Sequence, residues 1–508
     1  MKFKVFHVLA VLFISVLMSL PLTSHGCDIA AEQQRASSVA YNIVMLRRDL
    51  SIAKQMQKGH TIYEIKYDFD LHGATLRIPS DCILKFEGGH LLNGKIVFDE
   101  TIIESSYREV FCQITVDGTI VNKEVWLSWW KMAYDSNVND AILINQIVKA
   151  IDNCVFYYDI QRDVYVGTDK TNGTSEETVA FLKKKNLIVI QPTENYTILR
   201  GRSTTGSVVR CNENKYISID GLKIDGGHVS FRKCGENGIG VVGNEKVLIQ
   251  NCLIRNCYSN CFDANANGTL TKNGYPEWGS GGKGIQIEGG SVATQATIRN
   301  NSIKNCYIGI SNNASDQENI IMDGNYIDSC YMSLILLRLD GVSKRMNVNI
   351  SNTIIANNTG DVGAICMGNV ANVNMTNTQV KGEGKLKSVL RGCFSYCNIQ
   401  MIVNQQCENL IDAALYRDNP EGKEALHNYV KIITDKSCDY IISTSSSVVP
   451  KKNGSKYAEF VGGEYDITMP ERTQKTPIVL PTANNTTRFS VKYGGVTRCG
   501  NIEAINRK

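Results

Sequence analysis

The sequence predicts an all-β fold, a parallel β-solenoid in which short strands wind into stacked coils. A ten-residue phrase recurs at Ile249–Tyr258, Ile298–Tyr307 and Met322–Tyr331, with weaker copies that begin at Ile219, Ile350, Met375 and Ile399. Apolar residues alternate inside each copy, and Gly, Asn and Asp occupy the bends, as in strands and turns. The matched positions Ile303, Ile327, Ile355, Val380 and Asn404 lie 24, 28, 25 and 24 residues apart. This spacing is too short for a strand–helix–strand crossover.

Matching side chains in successive coils are expected to form columns along the axis. The three best copies align Cys257 with Cys306 and Cys330, Asn256 with Asn305 and Ser329, and Tyr258 with Tyr307 and Tyr331. Small thiols suit a narrow core, and an asparagine amide can hydrogen-bond to the next amide in its column. Several of the 17 cysteines are therefore interpreted as packing residues, and the odd count in a long chain argues against a disulfide framework. Asn404 is polar at an apolar position, so the last coil is the least regular.

The N-terminus indicates an exported protein. Residues 1–26 are typical of a signal peptide, with Lys2 and Lys4 before the apolar run Leu9–Leu20. The run is short for a membrane anchor, although that alternative stays open. Cys27 also permits a lipidated N-terminus, so we expect a periplasmic, cell-surface or secreted protein that meets a membrane only through that lipid. A net charge of +4 gives no indication of nucleic-acid binding.

The remaining chain divides into four regions. Residues 27–59 have helix-like apolar spacing, 60–130 are lead-in β coils, 131–425 are the parallel β-helix, and 426–508 are a C-terminal β cap. Trp126, Trp129 and Trp130 stand together before the helix at Asn139, where we expect them in the core.

Two further stretches resemble the right-handed parallel β-helix proteins of the pectate-lyase-like superfamily, of the exported bacterial type. The first runs from Asn139-Asp140-Ala141 to Val164-Tyr165-Val166, with Asp163 where that superfamily usually has glycine. The second contains Ala74–Pro79 and Phe86–Gly89. The resemblance implies the fold, but the superfamily includes lyases, hydrolases, epimerases and non-catalytic spikes. Fold alone therefore does not give the function.

One interruption of the repeat is the candidate functional loop. The step from Ile254 to Ile303 is 49 residues, and the excess lies between Tyr258 and Gly284. The insertion contains the candidate site residues Asp263, Tyr275, Glu277, Trp278 and Lys283. Carboxylates beside aromatic rings suit a carbohydrate, since a ring can cover the apolar face of a sugar. An ordinary surface loop is the alternative.

The strand after the insertion carries the other candidates. Alternation places Ile285 and Ile287 inward, so Gln286 and Glu288 face outward beside the insertion. The matching outward positions are Ser311 and Asn313, then Ile335 and Leu337, and next Ile365 and Met367. This partly apolar continuation counts against a long polar groove. Arg338 and Arg391 are the nearby arginines.

Two reactions and one non-catalytic role remain open. A glycoside hydrolase needs two carboxyl groups, for which Glu288 with Asp263 or Glu277 would serve. A polysaccharide lyase needs a cation to neutralise a uronate, for which Arg338, Arg391 or Lys283 would serve, and a base. Calcium assistance is possible, although no tight carboxylate cluster is evident. The alternative is a β-helix that binds glycans or acts as a surface scaffold. The sequence gives no oligomeric state.

Overall fold

Three sheets of short parallel strands surround one continuous apolar core, so the chain is a parallel β-helix. The computed structural model describes residues 40–167, 178–201, 207–227, 237–257, 282–288, 294–313, 319–337, 347–359, 363–413, 424–443, 459–473, 475–479 and 487–507. Within these ranges no helix is long and apolar enough to cross a membrane.

The N-terminal region consists of lead-in coils. Its strands are β1 (Asn42–Met45), β2 (Thr61–Ile65), β3 (Phe69–Asp70), β4 (Thr75–Arg77), β5 (Ile83–Phe86), β6 (Leu91–Ser105), β7 (Phe111–Ile120) and β8 (Glu124–Trp126). Three helices are described, α1 (Ile52–Gln55), α2 (Ala141–Ala150) and α3 (Ile502–Asn506), besides a 3-10 turn at Leu127–Trp129. Parallel pairing joins β2 to β5 and β5 to β6, and β6 to β7. As expected, Trp129 and Trp130 are buried, and Trp126 packs against the core.

The main β-helix has three sheets, named here in the order in which the chain visits them within a coil. Sheet 1 contains β11 (Val179–Leu182), β14 (Ser207–Asn212), β17 (Asn237–Val242), β20 (Lys283–Glu288), β23 (Ile308–Asn313), β26 (Met332–Leu337), β29 (Ile365–Ala371) and β33 (Cys438–Ser443). Sheet 2 contains β9 (Cys154–Tyr157), β12 (Leu187–Ile190), β15 (Tyr216–Asp220), β18 (Lys246–Gln250), β21 (Gln295–Arg299), β24 (Asn319–Asp323), β27 (Asn347–Ser351), β32 (Glu424–Thr434), β34 (Glu459–Met469) and β35 (Arg488–Tyr493).

Sheet 3 contains β10 (Val164–Val166), β13 (Leu199–Gly201), β16 (Lys223–Asp225), β19 (Leu253–Arg255), β22 (Ser302–Lys304), β25 (Tyr326–Asp328) and β28 (Ile354–Ala356). Two long strands, β30 (Val373–Ser395) and β31 (Asn398–Asp412), bend at the corners and contribute to all three sheets. Strand β36 (Val496–Gly500) pairs antiparallel with β35, and so covers the last sheet edge.

The predicted thiol column is confirmed. Cys257, Cys306 and Cys330 are fully buried, and each thiol donates over 3.5 Å to the backbone carbonyl two residues earlier. Burial raises the pKa of Cys306, and the neighbouring thiol of Cys257 adds to this effect. No disulfide bond joins cysteines in the described part of the chain. The predicted tyrosine stack is present at Tyr307 and Tyr331, whose ring centroids are 4.9 Å apart.

The asparagine ladder lies at different positions from those predicted. Asn256, Asn305 and Ser329 do align, but each occupies a left-handed corner with φ of 56°, 52° and 54°. The amide ladders form at two other corners, where Asn214 donates to Asn244 over 2.7 Å and Asn301 donates to Asn325 over 3.0 Å. These four residues follow a left-handed residue or a glycine, so their side chains turn inward and can stack.

Three glycines fix how sheet 1 begins in each coil. A Cβ at Gly238, Gly284 or Gly309 would lie 2.4 to 2.5 Å from the Cγ2 of an isoleucine across the core. These three positions therefore face the core and leave no space for a side chain. The preceding residues Asn237 and Lys283 face outward.

Register differs from the expectation in the last coils. Val380 pairs with Val403, so the apolar position is kept and Asn404 faces outward. Irregularities in the pairing of β30 with β31 cause this one-residue shift. Parallel pairing also continues beyond residue 425, from β31 through β32 and β34 to β35. The antiparallel strand that covers the end begins only at Val496.

The N-terminal segment is less helical than predicted where it is described. Residues 40–59 contain strand β1 and the single turn α1. The amide of Leu46 donates to the carbonyl of Glu64 over 3.1 Å, so this segment is partly used for extended pairing. Leu46, Ile52 and Met56 are the side chains that reach the core.

Candidate functional site

The outward side chains of sheet 1 change in character along the axis. One column of aligned positions contains Ala180, Arg210, Gly240, Gln286, Ser311, Ile335, Cys366, Arg391, Asp412 and Ser443. Arg210, Gln286 and Ser311 are polar or charged, Ile335 and Cys366 in the following coils are not charged, and Arg391 and Asp412 form an ion pair near the end.

The polar coils form a small pocket, called here the Glu288 pocket. Ser207, Arg210, Asn237, Gln286 and Glu288 line a volume of about 160 Å³. The amide of Asn237 donates to Oε1 of Gln286 over 2.6 Å, and the amide of Gln286 donates to Glu288. This chain of hydrogen bonds holds the carboxylate of Glu288 at one end, with one oxygen engaged by Gln286.

Gly240 makes room for this network. A Cβ at Gly240 would lie 2.3 Å from Oγ of Ser207, so no larger residue fits without a shift of that hydroxyl. Asn237 reaches Ser207 over 3.4 Å on the same side. The floor of the pocket is therefore set by backbone and by short side chains.

The charges of the Glu288 pocket are one carboxylate and one exposed guanidinium. Among the described residues that line it, Glu288 is the only acid and Arg210 the only cation. Lys283 lies on the same strand as Glu288 and faces outward, but its side chain is only 5% exposed. A guanidinium and a carboxylate in one open pocket can bind an anionic group and accept a proton.

The structure brings together part of the predicted site. Gln286 and Glu288 both line the pocket, and Lys283 begins the strand that carries them. Asp263, Tyr275, Glu277, Trp278 and Arg338 lie outside the described residues, so their roles stay predictions.

The described contacts of Arg391 argue against its predicted role in substrate binding. Arg391 is 3% exposed and its Nε lies 3.6 Å from the buried carboxylate of Asp412. It also lies four coils from Gln286, or about 19 Å at the spacing of neighbouring strands. Its charge is used inside the protein.

The prediction that Ile365 and Met367 face outward was wrong. Ile335 pairs with Cys366, so Cys366 is the outward residue, whereas Ile365 and Met367 belong to the core. The loop between β28 and β29 has a different length from its counterparts, and counting residues therefore gave the opposite face.

Three pocket residues were missed by the sequence analysis: Ser207, Arg210 and Asn237. A signal for them was available, because the apolar residues Val209, Ile239 and Ile285 occupy one register. Extending the alignment to the coils before the insertion would have placed Arg210 in the same column as Gln286.

The described residues contain no group of three or more His, Cys, Asp or Glu side chains that could hold a metal ion. Calcium assistance remains a prediction, since the acids of the insertion are not described.

Comparisons with known proteins leave the family of this chain open. No family and no curated protein matches the sequence. A protein of Geobacillus virus E2, ORF18, is 11% identical with a TM-score of 0.37, over 74% of this chain and 62% of its own. The A-module of the Azotobacter vinelandii mannuronan C-5 epimerase AlgE6 is 13% identical with a TM-score of 0.41, over 73% of this chain and 99% of its own. Both likenesses are distant. Strand pairing and the continuous core therefore define the class, a parallel β-helix protein.

Proposed function

We propose that this protein acts on a polysaccharide at the Glu288 pocket, and that it cleaves a uronate-containing chain by elimination. The observation that carries the proposal is that one carboxylate, Glu288, and one exposed guanidinium, Arg210, line the same outward pocket of a β-helix.

Elimination fits these groups better than hydrolysis does. Glycoside hydrolysis uses two carboxyl groups that flank the glycosidic oxygen, one as acid and the other as nucleophile or base. Elimination needs a cation that neutralises the uronate and a base that removes the proton at C5. The bond from C4 to the glycosidic oxygen then breaks, that oxygen takes a proton from water, and a C4=C5 double bond forms. Arg210 would neutralise the uronate, and Glu288 would accept the proton.

Lys283, Gln286 and Asn237 would orient the sugar. Their polar groups lie on two neighbouring strands, and the amides are already fixed by hydrogen bonds. The acids and aromatic residues of the insertion, Asp263, Tyr275, Glu277 and Trp278, are proposed to complete the site.

The test is an assay of the full chain on a panel of acidic and neutral polysaccharides. Reducing ends report any cleavage, and absorbance of unsaturated products reports elimination. We expect Glu288→Gln to lower the rate by about a hundredfold or more, as loss of a general base does. Glu194→Gln, at an exposed carboxylate outside the pocket, is the matched control. New reducing ends without unsaturated product would show hydrolysis instead of elimination. If Glu288→Gln and Glu194→Gln both keep the rate of the parent, the Glu288 pocket is not the catalytic site.

A second candidate function is glycan binding without cleavage. The observation in its favour is that amides dominate the network, since Asn237 and Gln286 hydrogen-bond each other in the pocket. A protein that binds a polysaccharide through this pocket but releases no new ends from any member of the panel would have this function.

A further inference from the structure

A second cavity lies beside helix α2 and shares Arg210 with the Glu288 pocket. It has a volume of about 880 Å³ and is called here the α2 pocket. Helix α2 forms one wall, strand β11 the floor and strand β14 the far side. This volume is in the range of small-molecule sites and is large enough for one or two sugar rings.

Side chains of α2 attach the helix to the edges of two strands. The amide of Val116 in β7 donates to Gln146 over 2.9 Å, and the amide of Ala180 in β11 donates to Asn145 over 2.8 Å. Asn145 donates in return to the carbonyl of Thr178 over 2.8 Å. The helix therefore satisfies strand edges that would otherwise continue the sheet, and the wall of the pocket is fixed.

A buried lysine holds the C-terminal end of the helix. The ammonium of Lys184 donates to the carbonyls of Val148 and Ile151 over 2.6 and 2.7 Å. Cations are favourable at this end of a helix. Because the ammonium of Lys184 is bonded to these carbonyls, the positive charge that faces the cavity comes from other residues.

The cavity combines positive charge with apolar surface. Lys149 and Arg210 are exposed in its wall, and Lys183 lies 3.6 Å from Glu213, the one acid among the described lining residues. Ile142 and Leu182 are each 46% exposed. This lining fits a ligand that carries an anionic group on a ring with an apolar face. An acidic sugar is such a ligand.

One polar atom of the residues that line the cavity has no hydrogen-bond donor. Oδ1 of Asn212 is buried without a hydrogen-bond partner, and Asn212 lines the pocket. A rotation of this side chain towards the cavity would let a sugar hydroxyl donate to it.

We propose that the α2 pocket is a binding subsite for an acidic sugar, two coils from the Glu288 pocket along the same polysaccharide. Arg210 lines both cavities, and its register position lies two strands from Gln286, about 10 Å away. This span matches about two sugar units. The inference rests on the proposed function because it assigns both pockets to one chain.

The test is affinity electrophoresis of the full chain in native gels that contain polygalacturonate, alginate or chondroitin sulfate, with dextran as the neutral polymer. Lys149→Gln should weaken retention about threefold, as expected for one exposed charge contact. Leu182→Glu should abolish retention, because it places an anion on the floor. Lys246→Gln, at an exposed lysine on sheet 2 beside the ring of Tyr216, is the matched control and should not change retention. Equal thermal midpoints for the variants establish that folding is intact.

Two results would overturn the inference. One is retention of Lys149→Gln and Leu182→Glu equal to that of the parent, and the other is failure of all three acidic polymers to retain the parent more than dextran does. The proposed function fails separately, by unchanged turnover in Glu288→Gln. Weakened retention in Lys149→Gln without any turnover would keep the subsite and exclude catalysis.

Discussion

The two ends of the outward surface of sheet 1 use the same backbone for different purposes. At the N-terminal end Arg210 is exposed and shares a pocket with Glu288, whereas at the C-terminal end Arg391 is buried against Asp412. Both arginines stand in one register column. An arginine in this column is therefore not by itself a sign of a binding site. An exposed arginine can bind a ligand, whereas a buried arginine forms an ion pair that belongs to the folded structure.

The middle coils separate these two ends. Ser311, Ile335 and Cys366 are fully buried although they point away from the core. A polysaccharide that lies on sheet 1 is therefore expected to cross the coils of β11 to β20 and not to extend to Arg391. The partly apolar character predicted from the sequence is thus present at Ile335, and under the proposed function it marks the end of the ligand-binding surface.

The largest effect on stability is expected at the C-terminal end. Arg391→Met should lower the free energy of unfolding by about 3 to 5 kcal/mol, because it removes a buried cation from beside the buried carboxylate of Asp412. Urea denaturation followed by circular dichroism measures the change. Lys183→Met, which breaks an exposed pair with Glu213, is the control and should change stability little. A similar small effect at Arg391 would mean that this end is not a folding element.

Alkaline pH should also destabilise the middle coils, through the buried thiol of Cys366. Burial raises the pKa of Cys366 to about 12, from an ordinary value of 9.0. The unfolded chain releases this proton above pH 9 while the folded chain keeps it, so the contribution is complete below pH 9 and is lost as the pH rises towards 12. Cys366→Ala should reduce the slope of stability against pH between 9 and 10.5 by up to about 1.4 kcal/mol per pH unit.

The control for this slope is Cys499→Ala, because Cys499 is exposed. If Cys366→Ala and Cys499→Ala give the same slope as the parent, the thiol of Cys366 is not protected in the folded protein.

A smaller effect is expected from filling the space at Gly240. Gly240→Ala should cost about 1 to 2 kcal/mol, because the new Cβ would meet Oγ of Ser207 at 2.3 Å. It should also weaken polysaccharide retention, since it narrows the Glu288 pocket. The double variant Gly240→Ala with Ser207→Gly should recover most of the stability in thermal unfolding. No recovery would show that the space is limited by the backbone.

The sequence was sufficient for the fold and for one strand of the site. Identical residues at equal places in the repeat predicted the stacked thiols of Cys257, Cys306 and Cys330, because repeated packing requires repeated side chains. Alternation around Ile285 and Ile287 correctly placed Gln286 and Glu288 outward.

What the sequence could not predict depends on register and on long-range packing. Residue counting failed at Cys366 and Asn404, because a change of one residue in a corner or a loop exchanges the two faces of a strand. The α2 pocket was missed since the amides of Asn145 and Gln146 contact strands far along the chain. Nothing in the local pattern of the helix indicates those contacts.

The most direct test of this account is the polysaccharide retention of Arg210→Met, measured by affinity electrophoresis beside its denaturation curve. Arg210 lines both pockets and is exposed, so we expect retention to fall about tenfold or more while the free energy of unfolding stays within about 0.5 kcal/mol of the parent. Unchanged retention, or a loss of stability as large as that expected for Arg391→Met, would contradict the assignment of this end of sheet 1 to ligand binding.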